Sequence, residues 1–344
     1  MLLPTLALMR RIANPFLKYF VILFVACVSL PGCVPSGKGK RAASDSAVPV
    51  VRLDKLLASV PDMDEAEVDG MMSAYGAAVD FLFSILDKPV TDSTLMDYAR
   101  SRAVTVFEPD IVRQLPELDS VERVLGDVRL NMQGYELLSM PEIYGIVSPY
   151  NQRIFMADSL MLVGLNHYLG PEYEGYKTFP DYQRRLKRID RMPYDVVESL
   201  LVSAYPMHEK TEESVTVLEH MLYQGAVMMA MLDIVPDATE RSVLGYDQTQ
   251  YEWLLSHEAQ LWQSMIGGGF LYDVSPAVAD RIISESPSVS FIHPDAPGRI
   301  GRFIGLQIIR SYLAEYPDTE IDYLLSPDFY GNISTLAKSR YSPR

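Results

Sequence analysis

The 344-residue chain predicts an α-rich α+β protein, a single helical domain with a small antiparallel sheet, following a lipoprotein signal and a flexible tether. Three observations lead to this reading. From residue 62 onward most apolar residues recur at the spacing of an amphipathic helix. One stretch, Glu142 to Gly170, changes period: it is rich in Ile, Val, Tyr and Phe, with turn signals at 149–152 and 158–159, the pattern of two or three strands joined by hairpins. The first thirty-three residues combine three cations, a short apolar run and a cysteine, the pattern of an export signal.

Arg10, Arg11 and Lys18 precede the apolar run Tyr19 to Leu30. That run is too short to span a bilayer as a helix, which takes about 20 residues. The LPGC that ends at Cys33 resembles a bacterial lipoprotein box, in which Cys33 becomes the lipid-modified first residue of the mature chain. Translation from Met9 instead of Met1 would give a signal of more ordinary length. The expected organisation is a signal over 1–32, a lipid-anchored tether over 33–48 and one globular domain over 49–344. The two cysteines, Cys27 and Cys33, both belong to the signal region, which leaves the body no disulfide, thiol nucleophile or cysteine metal ligand. A body of roughly 290 residues buries a sizeable core without such staples.

Charge is uneven along the chain. The total is −15, and removing the three signal cations leaves −18. Lys38, Lys40, Arg41 and Arg52 against Asp45 put +3 near the mature start, so residues 53–344 carry −21. An acidic body argues against nucleic acid, whose binding rests on clustered Lys and Arg. The basic tether suits anionic headgroups, and its small polar residues make it a flexible leash. The expected location is a lipid anchor at the outer membrane, and the lack of an acidic run after Cys33 favours an anchor that faces the periplasm.

Pro49 to Leu53 is a strand candidate, with Asp54 placed to cap the turn after it. Acidic residues then open a helix at Asp62, as the helix dipole favours. Ser93 opens another to about Val106, Pro109 and Pro116 bracket a short irregular piece, and Ser120 to Ser139 is amphipathic, with Glu122 near a capping-box position. After the strand-like stretch comes an aromatic loop, Tyr168 to Tyr176, whose hydroxyls suit backbone partners. Helices resume at Pro193–Tyr205 and at Thr211–Ile234, and Asp247 caps a long helix that Gly267–Gly269 stop. Ser275 caps a shorter one.

The densest text is Pro297 to Leu313. Pro297 suits a first helical position. Gly301 and Gly305 fall on one face, where each mid-helix glycine costs about 1 kcal/mol and calls for a neighbouring backbone pressed close. Arg299 and Arg302 stand at the positive end of the dipole, an unfavourable place for cations. Carboxylate partners within the chain, or an anionic ligand, are therefore expected there.

Chemistry-bearing patterns are sparse. The five histidines, His167, His208, His220, His257 and His293, include no pair three or four apart, so no helix presents a paired-imidazole metal face. LEHML at 218–222 and HEAQL at 257–261 each keep only part of a His-Glu-x-x-His pattern. Neither a Gly-x-Ser-x-Gly elbow nor a phosphate loop occurs, and no metal or cofactor is expected.

GLNHYLG at 164–170, VTVLEHMLYQGAVMMAMLDIVPD at 215–237, HEAQLW at 257–262, PGRIGRFIGLQIIRSYL at 297–313 and the terminal STLAKSRYSP, in that order and after PVVRLD and a lipobox, resemble the GldB family of gliding-motility lipoproteins of Bacteroidetes. The resemblance covers essentially the whole mature chain. It implies a membrane-anchored envelope protein linked to gliding and its secretion apparatus, without established catalysis and with protein partners in the envelope. The family also looks like a degenerate zinc-metallopeptidase scaffold. On that mapping Glu219 stands at the motif glutamate with Leu218 and Leu222 at the ligand positions, and Arg299 or Arg302 neutralises Glu219 or Glu258. The leading expectation is a non-catalytic scaffold or binding lipoprotein. Its alternatives are a metal-dependent hydrolase built on Glu219, His220, His257 and Glu258, and a binder of anionic ligands through Arg299 and Arg302.

Overall fold

The computed structural model describes residues 47–207 and 215–343, and the described chain enters through a strand. β1 (Val50–Val51) lies parallel to β2 (Glu142–Ile146), with Val50 opposite Ile143. This entry segment is fixed at several points. The Val48 N–H donates to the Glu122 carbonyl and the Val50 N–H to Glu122 Oε1, both at 2.9 Å. Arg52 forks onto Asp54 at 2.9 and 2.8 Å and donates to the Leu115 carbonyl at 2.8 Å. Asp54 is therefore not a cap: it lies buried within α1 (Leu53–Ala58), neutralised by the arginine that takes the N-cap position. Glu122 likewise satisfies the strand and not its own helix end.

The remaining strands are β3 (Ile154–Ala157) and β4 (Leu160–Gly164), in the order β1-β2-β4-β3. The 158–159 turn makes β3 and β4 an antiparallel hairpin, as its residues predict. The sheet as a whole is mixed, because β4 runs parallel to β2. The 147–153 connection carries the chain beyond the next lattice position, to the outer edge, and the hairpin returns β4 beside β2. β2 is buried at every residue after Glu142, as a central strand covered on both faces should be.

Before β2 the chain builds α2 (Glu65–Ile85), α3 (Asp92–Ala99), α4 (Arg102–Gln114) and α5 (Asp119–Asn131). The helix expected over Ser93–Val106 is broken at Arg100–Ser101, where the Ser101 hydroxyl accepts the Val104 N–H and starts a new one. Pro109, expected at a boundary, sits inside α4. It costs one helical bond, and buried Val104 and Ile111 hold the helix on either side of it.

After the sheet come α6 (Asp181–Arg184), α7 (Met192–Ala204), α8 (Val217–Ile234), α9 (Glu240–Leu244), α10 (Gln248–Gly267) and α11 (Pro276–Ile283). The chain ends with α12 (Ile300–Glu315), α13 (Ile321–Leu324), α14 (Pro327–Tyr330) and α15 (Thr335–Ser339). Asp247 opens α10 with the expected cap, closing a box with Gln250. Thr211 lies outside the described residues, and the described helix begins at Val217 behind a Thr216 cap.

α8 and α12 form the central helix pair, and both are buried around most of their circumference. A Cβ on Gly305 would lie 1.9 Å from the Met221 carbonyl oxygen, and one on Gly225 would lie 2.3 Å from the Gly305 carbonyl carbon. The two helices thus meet backbone to backbone, the close neighbour that the glycine spacing requires. Gly301 gives room to Ile282 and Ile283 of α11. α12 starts at Ile300 and not at Pro297, because Arg299 takes a left-handed backbone conformation, φ 66°. One contiguous apolar cluster joins the sheet to these helices.

Candidate functional site

α7 turns Val196, Val197, Leu200 and Leu201 into the core. Its other face carries Asp195 and Glu198, one turn apart, with Arg191 just before them at the helix cap. Opposite stand Arg153 at the foot of β3, Glu285 beyond α11, and Arg299 and Arg302 at the start of α12. Together they line a cavity of about 510 Å³.

The pairs form a chain across this cavity. Arg153 bridges Asp195 at 2.8 Å and Glu285 at 3.0 Å. Arg191 Nε donates to Asp195 at 3.1 Å, and its terminal nitrogens reach the Ser242 and Val243 carbonyls at 2.5 and 3.5 Å. Arg302 grips Glu198 at 2.6 Å and the Ile283 carbonyl at 3.2 Å. The Tyr168 hydroxyl completes Asp195 at 3.0 Å. Burial favours a neutral Glu198, but Arg302 and Arg191 outweigh it and hold the carboxyl down at about 2. Burial lowers the Arg299 guanidinium to about 10, with Glu285 opposing that shift.

Nearby, Lys187 Nζ lies 2.8 Å from His167 Nδ1, while His167 Nε2 is 3.0 Å from the Tyr150 carbonyl. A carbonyl only accepts, so Nε2 carries the proton and Nδ1 receives one from the ammonium group. Burial, and then Lys187, push His167 down to about 3. Burial, with Arg153 adding to it, lowers Lys187 to about 8. His167 thus stays neutral in the folded state, whereas the unfolded chain takes up its proton below about pH 6.5. Stability should fall as pH drops from about 6.5 toward 3, before the contribution of Glu198 is lost between about 4.5 and 2. Urea unfolding followed across pH 4–7 checks this: His167→Gln should flatten the upper part of the decline.

The residues singled out from sequence separate into three places: Arg299 and Arg302 in this cavity, Glu219 and His220 at the start of α8, and His257 and Glu258 on α10. Glu219 is buried, and its Oε2 accepts the Thr216 N–H at 2.8 Å and the Thr216 hydroxyl at 3.0 Å, closing the α8 capping box. His220, beside it, is lowered by burial, an effect that Glu219 opposes. Glu258 accepts from the Tyr341 hydroxyl at 2.7 Å and lines a second cavity of about 300 Å³ with Gln307 and Arg310. His257 stacks on Trp253 at 4.2 Å. The expected pairing of Arg299 or Arg302 with Glu219 or Glu258 gives way to pairing with Glu285 and Glu198. These two carboxylates lie where α7 and the end of α11 converge on the start of α12. Among the described residues no three His, Cys, Asp or Glu side chains gather closely enough to hold a metal ion.

Sequence reasoning missed Arg153, Arg191, Asp195, Glu198 and Glu285. Part of the signal was present: Arg191, Asp195 and Glu198 fall at positions i, i+4 and i+7 of RMPYDVVE, one stripe of a helix. Arg153 and Glu285 come from distant loops and leave no local pattern.

Comparison with known proteins agrees with the words that carried the resemblance. A model of the family described as gliding motility protein GldB matches residues 37–343. No curated protein and no solved structure matches the chain. No helix among the described residues is long and apolar enough to cross a membrane. With the family match running from ten residues before the first described residue to the last, the chain belongs to the GldB family of gliding-motility lipoproteins.

Proposed function

We propose that the protein is a non-catalytic component of the gliding and secretion machinery, held at the outer membrane by lipid on Cys33, facing the periplasm and binding protein partners there. The observation that carries this is the family match, which begins four residues after the cysteine of LPGC. The basic residues Lys38, Lys40 and Arg41 suit a tether lying close to headgroups. The structural employment of Glu219 supports the non-catalytic part: the glutamate placed at the motif glutamate of the peptidase mapping closes a helix cap.

Cys33→Ala tests the anchor. The variant should move from the membrane fraction to the soluble periplasmic fraction, and in a gliding host spreading should be lost. Retention of the alanine variant in the membrane would remove lipidation at this residue. Protease added to intact cells should spare the protein and should digest it once the outer membrane is permeabilised.

A further inference from the structure

The cavity beside α7 holds more positive charge than its own carboxylates neutralise, four arginines (153, 191, 299 and 302) against Asp195, Glu198 and Glu285. The lining carries a surplus of one cation on a strongly acidic body. The surplus can be located. Arg153, Arg191 and Arg302 each donate to a carboxylate within 3.1 Å. Arg299 donates no side-chain hydrogen bond to any described residue. Its nearest carboxylate oxygen, Glu285 Oε1, is 3.9 Å away and already accepts from Arg153 at 3.0 Å. Yet Arg299 is only 4% exposed.

Apart from the Tyr246 ring, 6.0 Å from its Cζ, and the distant Glu285, the guanidinium has no close partner among the described residues, and its nitrogens are not sealed from solvent; the backbone is arranged to hold it there. Arg299 itself sits at φ 66°. Gly245, also left-handed, leaves open the space against the guanidinium, where a Cβ would come within 3.1 and 3.3 Å of the two terminal nitrogens. Strain of this kind persists where surrounding structure enforces it, and it accumulates at ligand sites.

The opposite wall supplies a second feature. β3 is an outer strand of the sheet. The Gly164 N–H donates to the Arg153 carbonyl, so residues 153, 155 and 157 turn their main chain toward β4, and Ile154 and Met156 turn theirs outward. Both of the outward-turned residues line the cavity.

We propose that this cavity binds the terminal α-carboxylate of an extended peptide, with the carboxylate on Arg299 and the peptide backbone alongside the outer edge of β3. The proposal goes beyond the anchored-component reading and does not depend on it. A single negative charge matches the single surplus cation, whereas a phosphate dianion would be repelled by Asp195, Glu198 and Glu285. A carboxylate also presents two coplanar oxygens to two guanidinium N–H groups, the geometry in which arginine binds best. Addition of a strand to this outer edge would supply main-chain hydrogen bonds without demanding a particular sequence, the Ile154 carbonyl exchanging the exposed Gln152 side-chain amide that meets it at 2.8 Å for the peptide.

Titration calorimetry of the full chain in detergent tests this with acetyl-Ala-Val-Ala as free acid, the same peptide as its amide, propionate, and inorganic phosphate. The free acid should bind saturably, with the other three weaker by about tenfold or more. Arg299→Gln should lower affinity for the acid by about tenfold or more while thermal unfolding remains cooperative. Ser199→Phe, which fills the cavity without altering its charges, should do the same and decides the matter if Arg299→Gln does not fold. Equal binding of acid and amide, phosphate or propionate binding as tightly as the peptide, no binding of the acid at millimolar concentration, or indifference to both substitutions would each overturn the proposal.

Discussion

Gly305→Ala is expected to destabilise the protein by at least about 4 kcal/mol and to leave little folded chain at 37 °C. The added Cβ would fall 1.9 Å from the Met221 carbonyl oxygen, and the obstructing atom is helix backbone, which cannot rotate aside as a side chain can. Relief requires α8 and α12 to separate along a contact that Met221, Gly225 and Leu306 share, opening voids among residues packed at crystalline density. Gly225→Ala should behave alike. Gly70, in α2, has nothing within 4 Å of a built Cβ, and Gly70→Ala should stabilise by up to about 1 kcal/mol through helix propensity alone. Urea denaturation followed by circular dichroism separates the cases. A Gly305→Ala protein as stable as wild type would mean that the two helices do not pack at this distance.

Asp195→Ala should cost about 3–5 kcal/mol, the range for removing one partner from a buried ion pair. Asp195 accepts from Arg153, Arg191 and Tyr168 through its two oxygens. Its loss would leave Nε of the 4% exposed Arg191 and the buried Tyr168 hydroxyl without their acceptor, and Arg153 without its nearest carboxylate. Asp195→Asn keeps the shape but removes the charge, and should cost less, about 2 kcal/mol. The same denaturation series measures both. A loss below about 1 kcal/mol for the alanine variant would place this network with exposed surface pairs, whose worth is of that size.

What could be read from the sequence divides along physical lines. Local rules recovered the capped α10, the hairpin turn at 158–159 and the central glycine-bearing helix, because each depends on residues a few positions apart. The parallel pairing of β2 with β4 was illegible: it is decided by where a connection carries the chain, and strand text does not encode its neighbour's direction. The start of α12 was misplaced because Pro297 has the right chemistry for a first turn, and nothing in the letters shows that Arg299 would adopt a left-handed backbone. The arginines of that helix were correctly expected to meet anions, yet their partners were misassigned. A carboxylate in a capping box, such as Glu219, reads the same in sequence as one free to pair, and Glu198 and Glu285 become partners only once α7 and the end of α11 converge on α12.

The fastening of β1 has a mechanical consequence. Under the proposed anchorage, a load from the membrane travels along the tether and reaches the folded body at Val48, just where main-chain bonds to Glu122, the fork of Arg52 on Asp54 and the parallel pairing with β2 begin. A pull directed along β1 strains several of these bonds together instead of peeling them one after another. Loaded in this way, the entry segment resists as a unit.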